Sequence, residues 1–197
     1  MKKIAEPIPG LILLEQQSFK DERGWFQEDF SLQKLKALGI ETPPLAQTNR
    51  SQTRAHTLRG LHFQAPPHGQ AKLVWCPSGH LVDVAVDIRK GSPTYGQGYA
   101  AQLSDENHRA LYVPIGFAHG FYAITQCQLQ YAVFGAGYNK ASEGGLRWNA
   151  SGIDWEQILP YVRQWSGEPS ANERDATFPS LEELVSPFTF ELTEVTA

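Results

Sequence analysis

His80-Leu-Val-Asp-Val-Ala-Val-Asp-Ile-Arg89 alternates with a period of two. Val82, Val84, Val86 and Ile88 share one face; Leu81, Asp83, Ala85, Asp87 and Arg89 share the other. That is the pattern of a β-strand, whose successive side chains point to opposite sides. Turn chemistry brackets it, with Pro77-Ser-Gly79 before and Lys90-Gly-Ser-Pro93 after. Working outward, strand-like runs recur at roughly ten-residue spacing, at 45–52, 57–64, 71–76, 97–104, 110–114, 121–125 and 129–134. So many short strands predict a mainly β fold, a jelly-roll barrel or sandwich with a few short helices.

Upstream, Gly10-Leu-Ile-Leu-Leu-Glu15 reads as a first strand, and the aromatic, charged run from Phe19 to Phe30 as a loop followed by a strand. Ser31 to Gly39 is the clearest helix: Ser31 can cap it, Leu32, Leu35 and Leu38 recur every third residue, and Gly39 can end it. Beyond Tyr138 the regularity fades, with short helices expected at Ile153 to Val162 and Ser180 to Val185. The 197 residues read as one domain, with core strands over 45–134 between an N-terminal strand-and-helix segment, 1–44, and an irregular C-terminal segment, 135–197.

Composition narrows the class. Seventeen glycines and 13 prolines suit many short elements joined by tight turns. A net charge of −4 argues against non-specific nucleic-acid binding, which needs a basic face. Cys76 and Cys127 lack paired metal spacing and suggest no disulfide framework, as in a reducing cytosol. No apolar run reaches the roughly 20 residues of a membrane helix, and no signal core follows Met1-Lys-Lys. The expectation is a soluble, cytoplasmic protein.

Candidate chemistry concentrates in Thr57-Leu-Arg-Gly-Leu-His-Phe-Gln64 and in Lys72. Arg59 and Lys72 can hold an anion or a developing negative oxygen, and His62 can accept a proton. Taken singly, a strand histidine is usually a hydrogen-bonded core or rim residue, and such cations are usually solvated. It is their concentration around Gly60 and Pro66-Pro67 that favours a site. On a regular strand Arg59 and His62 point to opposite faces, so sharing one cavity requires an irregularity, easiest at Gly60. Gln47 and Asn49 share a face without one. Pro114-Ile-Gly-Phe-Ala-His-Gly-Phe121 places His119 in a turn, either as ordinary turn chemistry or at the barrel mouth. Tyr131 and Tyr138 offer phenols, which remain protonated at neutral pH and can donate. Asp175, if it reached His62, would fix the imidazole tautomer and raise its basicity.

These segments together resemble the dTDP-4-dehydrorhamnose 3,5-epimerase family of cupin-type sugar-nucleotide epimerases. The match runs in order through Arg23-Gly-Trp-Phe-Gln-Glu28, Gln47-Thr-Asn49, Leu58 to Gln64, Gln70 to Val74, Asp83 to Arg89, Gly91-Ser-Pro-Thr94, Pro114 to Phe121 and Leu146-Arg-Trp-Asn149. The resemblance implies a homodimeric jelly roll with neither metal nor cofactor, acting on a nucleotide-diphosphate 4-ketosugar. It implies His62 as general base, Asp175 as its carboxylate partner, Tyr131 as general acid and Lys72 at the keto oxygen. It also implies substrate contacts from Arg23, Phe26, Glu28, Gln47, Asn49, Arg59, His119, Glu143 and Arg174, with Tyr138 stacking on thymine. Arg174 stands where the family commonly has lysine, and Tyr131-Ala-Val-Phe134 where it often has Tyr-Lys-Cys-Thr.

Three alternatives follow. A single-centre epimerase of a related ketosugar would fit the altered run after Tyr131. A non-catalytic nucleotide-sugar-binding cupin would have no need of an acid–base pair. A metal-dependent cupin would use histidines at similar positions, but the usual His-x-His is absent, since Phe63 and Gln64 follow His62.

Overall fold

The computed structural model describes residues 1–150 and 169–190. The strands are β1 (Lys2–Ile8), β2 (Leu11–Glu15), β3 (Ser18–Asp21), β4 (Gly24–Gln27), β5 (Leu45–Thr53), β6 (Thr57–Gln64), β7 (Gln70–Ser78), β8 (His80–Asp87), β9 (Gly98–Ser104), β10 (Arg109–Val113), β11 (Phe117–Ala123), β12 (Cys127–Gly135) and β13 (Glu143–Gly145). Two short α-helices, α1 (Leu32–Ala37) and α2 (Glu173–Ala176), lie among them. The strands form a six-stranded sheet, β1-β2-β10-β7-β12-β5, a five-stranded sheet, β13-β6-β11-β8-β9, and a separate β3-β4 ribbon. The mainly β fold expected from the alternation is present.

Strand β8 explains the layering. Its interior face carries Leu81 and Ala85, which join Val74, Leu111, Phe117, Phe121 and Leu129 between the two sheets. Its other face carries Val82, Val84 and Val86, which with Ile88 just beyond the strand pack against Leu146 and Phe188 from the later chain. Both faces are buried because both are covered. The outer face of the six-stranded sheet is closed in turn by α1, whose Leu35 is buried with Leu73, Trp75 and Phe134. The Ser31 side chain caps that helix by accepting from the Lys34 N–H, and Gly39 leaves it at φ +77°.

Several expectations require correction. Strand β1 was not anticipated: its residues are mostly exposed and include Pro7, as suits an edge strand, so no alternation marks it. Residues 18–27 form the β3-β4 hairpin rather than a loop and one strand. Strand β11 begins at Phe117, four residues before the expected start, so His119 sits within a strand and not a turn. Ser180 to Val185 makes a single turn, closed by Leu184 N–H donating to Ser180 C=O at 3.0 Å, and no helix. The expected helix at Ile153 to Val162 lies outside the described residues. Among the described residues no helix is long and apolar enough to cross a membrane.

Strand β6 is irregular where expected. It pairs with β11 as His62 to His119 and Arg59 to Phe121, with a register shift between. Three steps on β6 thus match two on β11, a bulge that brings Arg59 and His62 to one cavity despite their opposite parity. Gly60 occupies it at φ +112°, and a Cβ there would lie 2.7 Å from Gly120 Cα and 2.8 Å from the His119 carbonyl oxygen. Both obstacles are backbone and cannot swing aside. Gly60→Ala is expected to lower unfolding free energy by about 2–3 kcal/mol, read from the urea midpoint, with near-wild-type stability arguing against a strained bulge.

Candidate active site

A cavity of about 310 Å³ opens between the sheets, lined by Arg59 and His62 from β6, Lys72 from β7, His119 from β11, Tyr131 from β12 and Asp175 from α2. A second space of about 170 Å³ shares His62, Lys72 and Tyr131 with it and continues to Gln47, Asn49, Tyr138 and Glu143. The shared residues make these two chambers of one cleft. His62 comes from the five-stranded sheet and Tyr131 from the six-stranded one, so a proton acceptor and a proton donor look across the cleft from facing walls.

The acceptor is held by a carboxylate far away in sequence. Asp175 Oδ1 lies 2.8 Å from His62 Nε2, and Asp175 Oδ2 accepts the Gly60 N–H at 3.2 Å. Arg174 Nη2 also lies 3.3 Å from His62 Nε2. A carboxylate can only accept and a guanidinium only donate, so an Nε2–H directed at Asp175 leaves no lone pair for Arg174. The Asp175 bond therefore sets the tautomer, and Nδ1 is left as the basic nitrogen of the neutral ring. Burial alone would raise the Asp175 pKa. The His62 hydrogen bond and charge, the Gly60 N–H and Arg174 outweigh it and hold the carboxyl below its ordinary range.

Arg174 Nη1 donates to Glu143 Oε2 at 3.0 Å, and the Tyr138 hydroxyl donates to the same oxygen at 3.0 Å. This chain of contacts forms the outer rim of the cleft. Arg59 lines the larger chamber from an exposed position on β6, where its Nε donates to Thr53 Oγ1 at 3.0 Å. Gln47 Nε2 donates to Asn49 Oδ1 at 2.9 Å along their shared face of β5.

Among the described residues, Lys72 is the one lysine lining either chamber. Burial lowers its pKa, while the negative charges of Asp83 and Glu143 work to keep it protonated. Behind the cavity wall His119 Nε2 lies 2.9 and 3.0 Å from the two oxygens of Asp83, which has no exposed surface. Asp83 was not singled out from sequence, although a carboxylate on the interior face of an apolar strand was a usable signal.

Three predicted site residues are not brought to the cleft. Arg23 pairs with Asp21 at 2.5 Å and has 83% of its side chain exposed. Phe26 is exposed, and Glu28 pairs with Lys34 at 2.8 Å. All three belong to the β3-β4 ribbon or its exit, outside both sheets. Among the described residues, no group of three or more His, Cys, Asp or Glu side chains is arranged to hold a metal ion.

The depressed Asp175 pKa has a sign that can be checked. Its contribution to stability is fully present above the ordinary value of 3.8 and is lost as pH falls through the lower folded-state value. Asp175→Asn should cost about 1–2 kcal/mol at neutral pH by weakening a charge-assisted hydrogen bond. In urea titrations the gap from wild type should close below pH 3.8; a gap constant down to the acid transition would contradict the ion-pair account.

Comparison with known proteins places the chain in a family. Residues 5–183 match the profile of the dTDP-4-dehydrorhamnose 3,5-epimerase family. The dTDP-4-dehydrorhamnose 3,5-epimerase of Salmonella typhimurium is 40% identical over 185 residues, spanning 92% of this chain and 96% of that one. A crystal structure from Legionella pneumophila, a dTDP-6-deoxy-D-glucose-3,5-epimerase in complex with dTDP-4-keto-L-rhamnose, superposes with a TM-score of 0.86 at 32% identity, covering 96% of this chain and 98% of that one. A 3'-monoepimerase from Streptomyces bikiniensis in complex with dTDP-quinovose superposes with a TM-score of 0.80 at 30% identity, covering 92% and 88%. Profile, sequence identity and fold agree over nearly the whole length, and the chain belongs to the dTDP-4-dehydrorhamnose 3,5-epimerase family.

Proposed function

We propose that this protein converts dTDP-4-dehydro-6-deoxyglucose to dTDP-4-dehydrorhamnose by inverting carbons 3 and 5. The observation that carries this reading is the His62–Asp175 pair on one wall and the Tyr131 phenol on the other, with Lys72 on the Tyr131 wall and shared by the two chambers. Inverting a carbon beside a ketone requires a base on one face of the ring, an acid on the other and a cation at the oxygen.

In this mechanism His62 Nδ1 takes the proton from the carbon next to the C4 ketone. The bonding pair moves into an enolate whose oxygen Lys72 holds, a contact of a type worth about 3 kcal/mol in the transition state. Tyr131 then gives its hydroxyl proton to the opposite face of that carbon. Both groups recover their resting protonation from solvent before the second carbon reacts, so no net proton is consumed. His119 faces the sugar beside Lys72, and Gln47 and Asn49 bind along the outer chamber. Arg59 binds the diphosphate. Arg174 and Glu143 bind the nucleotide end, where Tyr138 stacks on the thymine. Holding the nucleotide at this distance fixes the ring between base and acid.

Heavy water tests the reading. Because the incoming proton comes from solvent-exchangeable groups, deuterium should enter both carbon 3 and carbon 5, followed by NMR. His62→Ala should slow both exchanges by about 10²–10⁴-fold, the usual contribution of a general base. Tyr131→Phe should still remove a proton but fail to invert. Exchange at neither carbon in the wild type would sink the proposal. Exchange at one carbon would make this a single-centre enzyme like the Streptomyces bikiniensis protein it resembles.

The β3-β4 ribbon supports a homodimer in which Arg23, Phe26 and Glu28 complete the site of the second copy. Phe19, Trp25 and Phe26 are 53%, 65% and 68% exposed, an unusual concentration of aromatic surface on a two-stranded ribbon. Sedimentation equilibrium should give twice the chain mass. Arg23→Ala mixed with inactive His62→Ala chains should regain activity through the hybrid dimer, and failure to complement would place Arg23 outside the partner's site.

A further inference from the structure

Asp83 has no exposed surface and lies on the interior face of β8 between Ala101 of β9 and Phe121 of β11, both apolar. Burying a carboxylate among such neighbours is costly unless it is paired and put to use. Its hydrogen bonds among the described residues go only to His119 Nε2, at 2.9 and 3.0 Å. Lys72 presents the opposite problem across the barrel, an amine drawn out of water toward the place where a negative oxygen would form.

The groups that surround Lys72 can be named strand by strand. His62 and Arg59 come from β6, His119 from β11, Tyr131 from β12, Glu143 from β13, and Arg174 and Asp175 from α2. Its register neighbours on β10 and β12, Val113 and Val133, carry no charge. Two of the carboxylates are already engaged. Asp175 is held by His62 and the Gly60 N–H, and Glu143 is shared by the Tyr138 hydroxyl and Arg174. Among the described residues no arginine pairs with Asp83; it stands behind His119, which lines the same cavity as Lys72, and its negative charge favours the Lys72 ammonium.

Resting on the epimerase reading, we propose that Asp83 is a positioning residue for the reaction: it is the countercharge that keeps Lys72 an ammonium at the sugar's keto oxygen, and it aims the His119 ring into the cleft. The two roles come from one buried group. As an acceptor it fixes Nε2 as the protonated nitrogen of a neutral His119, so that Nδ1 can face the ligand. As a charge it offsets the desolvation of Lys72, which would otherwise favour the neutral amine. A neutral amine could offer the enolate a hydrogen bond but no full charge.

Asp83→Asn separates these roles, since asparagine can still accept from His119 but carries no charge. Burial already lowers the Lys72 pKa and Asp83 opposes this, so removing the carboxylate must lower it further. The alkaline limb of the kcat–pH profile should move down by about one pH unit, and kcat at pH 8 should fall roughly ten-fold or more. Affinity for dTDP, measured by calorimetry, should not change. A purely structural role would lower the folded fraction and leave the shape of the profile alone. A profile superimposable on that of the wild type overturns the proposal.

NMR of 15N-labelled lysine, with the Lys72 signal assigned by its loss in Lys72→Met, gives a readout independent of turnover. An ammonium at pH 7.5 in the wild type that titrates at lower pH in Asp83→Asn supports the countercharge role. A neutral amine in the wild type overturns it even if Asp83→Asn does not fold. If the wild type exchanges deuterium at neither carbon, the epimerase reading fails instead, and the Lys72 titration still tests the countercharge by itself.

Discussion

The site depends on one extra residue in β6. The bulge at Gly60 lets Arg59 and His62 reach the same cavity, and it also turns the Gly60 N–H toward Asp175. A buried N–H without an acceptor is costly, and the carboxylate that satisfies it is the one that holds His62. Asp175 therefore joins the fold to the chemistry through its two oxygens, one on backbone and one on imidazole. Helix α2 is only four residues long and has little cohesion of its own. It is seated by these bonds and by the bridge from Ser170 to Thr57 beside them.

A second constraint follows from placing charge inside a barrel. Sheets packed face to face leave an interior about 10 Å thick, sized for apolar side chains. In this interior Leu81, Ala85, Phe117 and Leu129 meet the expected requirement, while Lys72, Asp83 and His119 break it at one end. Local departures from a pattern obeyed elsewhere are where function is expected, because the rest of the core must support them. Asp87, four residues further along the same face of β8, shows what a structural charge looks like. Asp87 is buried with Arg89 at 2.8 Å and accepts from Ser92 and Thr94, which with Arg89 hold its pKa down against its burial. Every acceptor there is satisfied by groups that face no cleft.

How much could be read from the chain alone follows the range of each interaction. Strand β8 and the Ser31-capped helix were legible because their signals are local: period-two alternation in one case, a cap and a terminal glycine in the other. Strand β1 was invisible because an edge strand open to water need not alternate. His119 was assigned to a turn because Pro114 and Gly116 punctuate the chain just before it, yet pairing with β8 from Phe117 onward outweighed that punctuation. The need for an irregularity at Gly60 could be inferred from parity, since two residues three apart cannot otherwise share a cavity. Asp175 gave only a weak signal from composition, its partner lying 113 residues away. Its assignment came through family resemblance, as did those of Tyr138 and Glu143. The ribbon residues Arg23, Phe26 and Glu28 do not line the cleft, because the β3-β4 ribbon pairs with neither sheet.

Burial changes along the cleft in a way that separates binding from chemistry. Toward the rim, Tyr138 is 60% exposed and the Arg174 side chain 48%, and their mutual partner Glu143 keeps 18% of its side chain open. Inward, His62 keeps 28%, and the carboxylates behind the two histidines keep 3% and none. Ion pairs at the rim are screened by water and contribute little one by one. Charges at the inner end are poorly screened, so a fixed carboxylate can set a tautomer and a fixed ammonium can stabilise an oxyanion. Under the proposed function, a ligand with a highly charged end and a small ketone-bearing ring follows that gradient with its nucleotide outward and its ring inward. That direction places the ring between the wall that carries His62 and the wall that carries Tyr131.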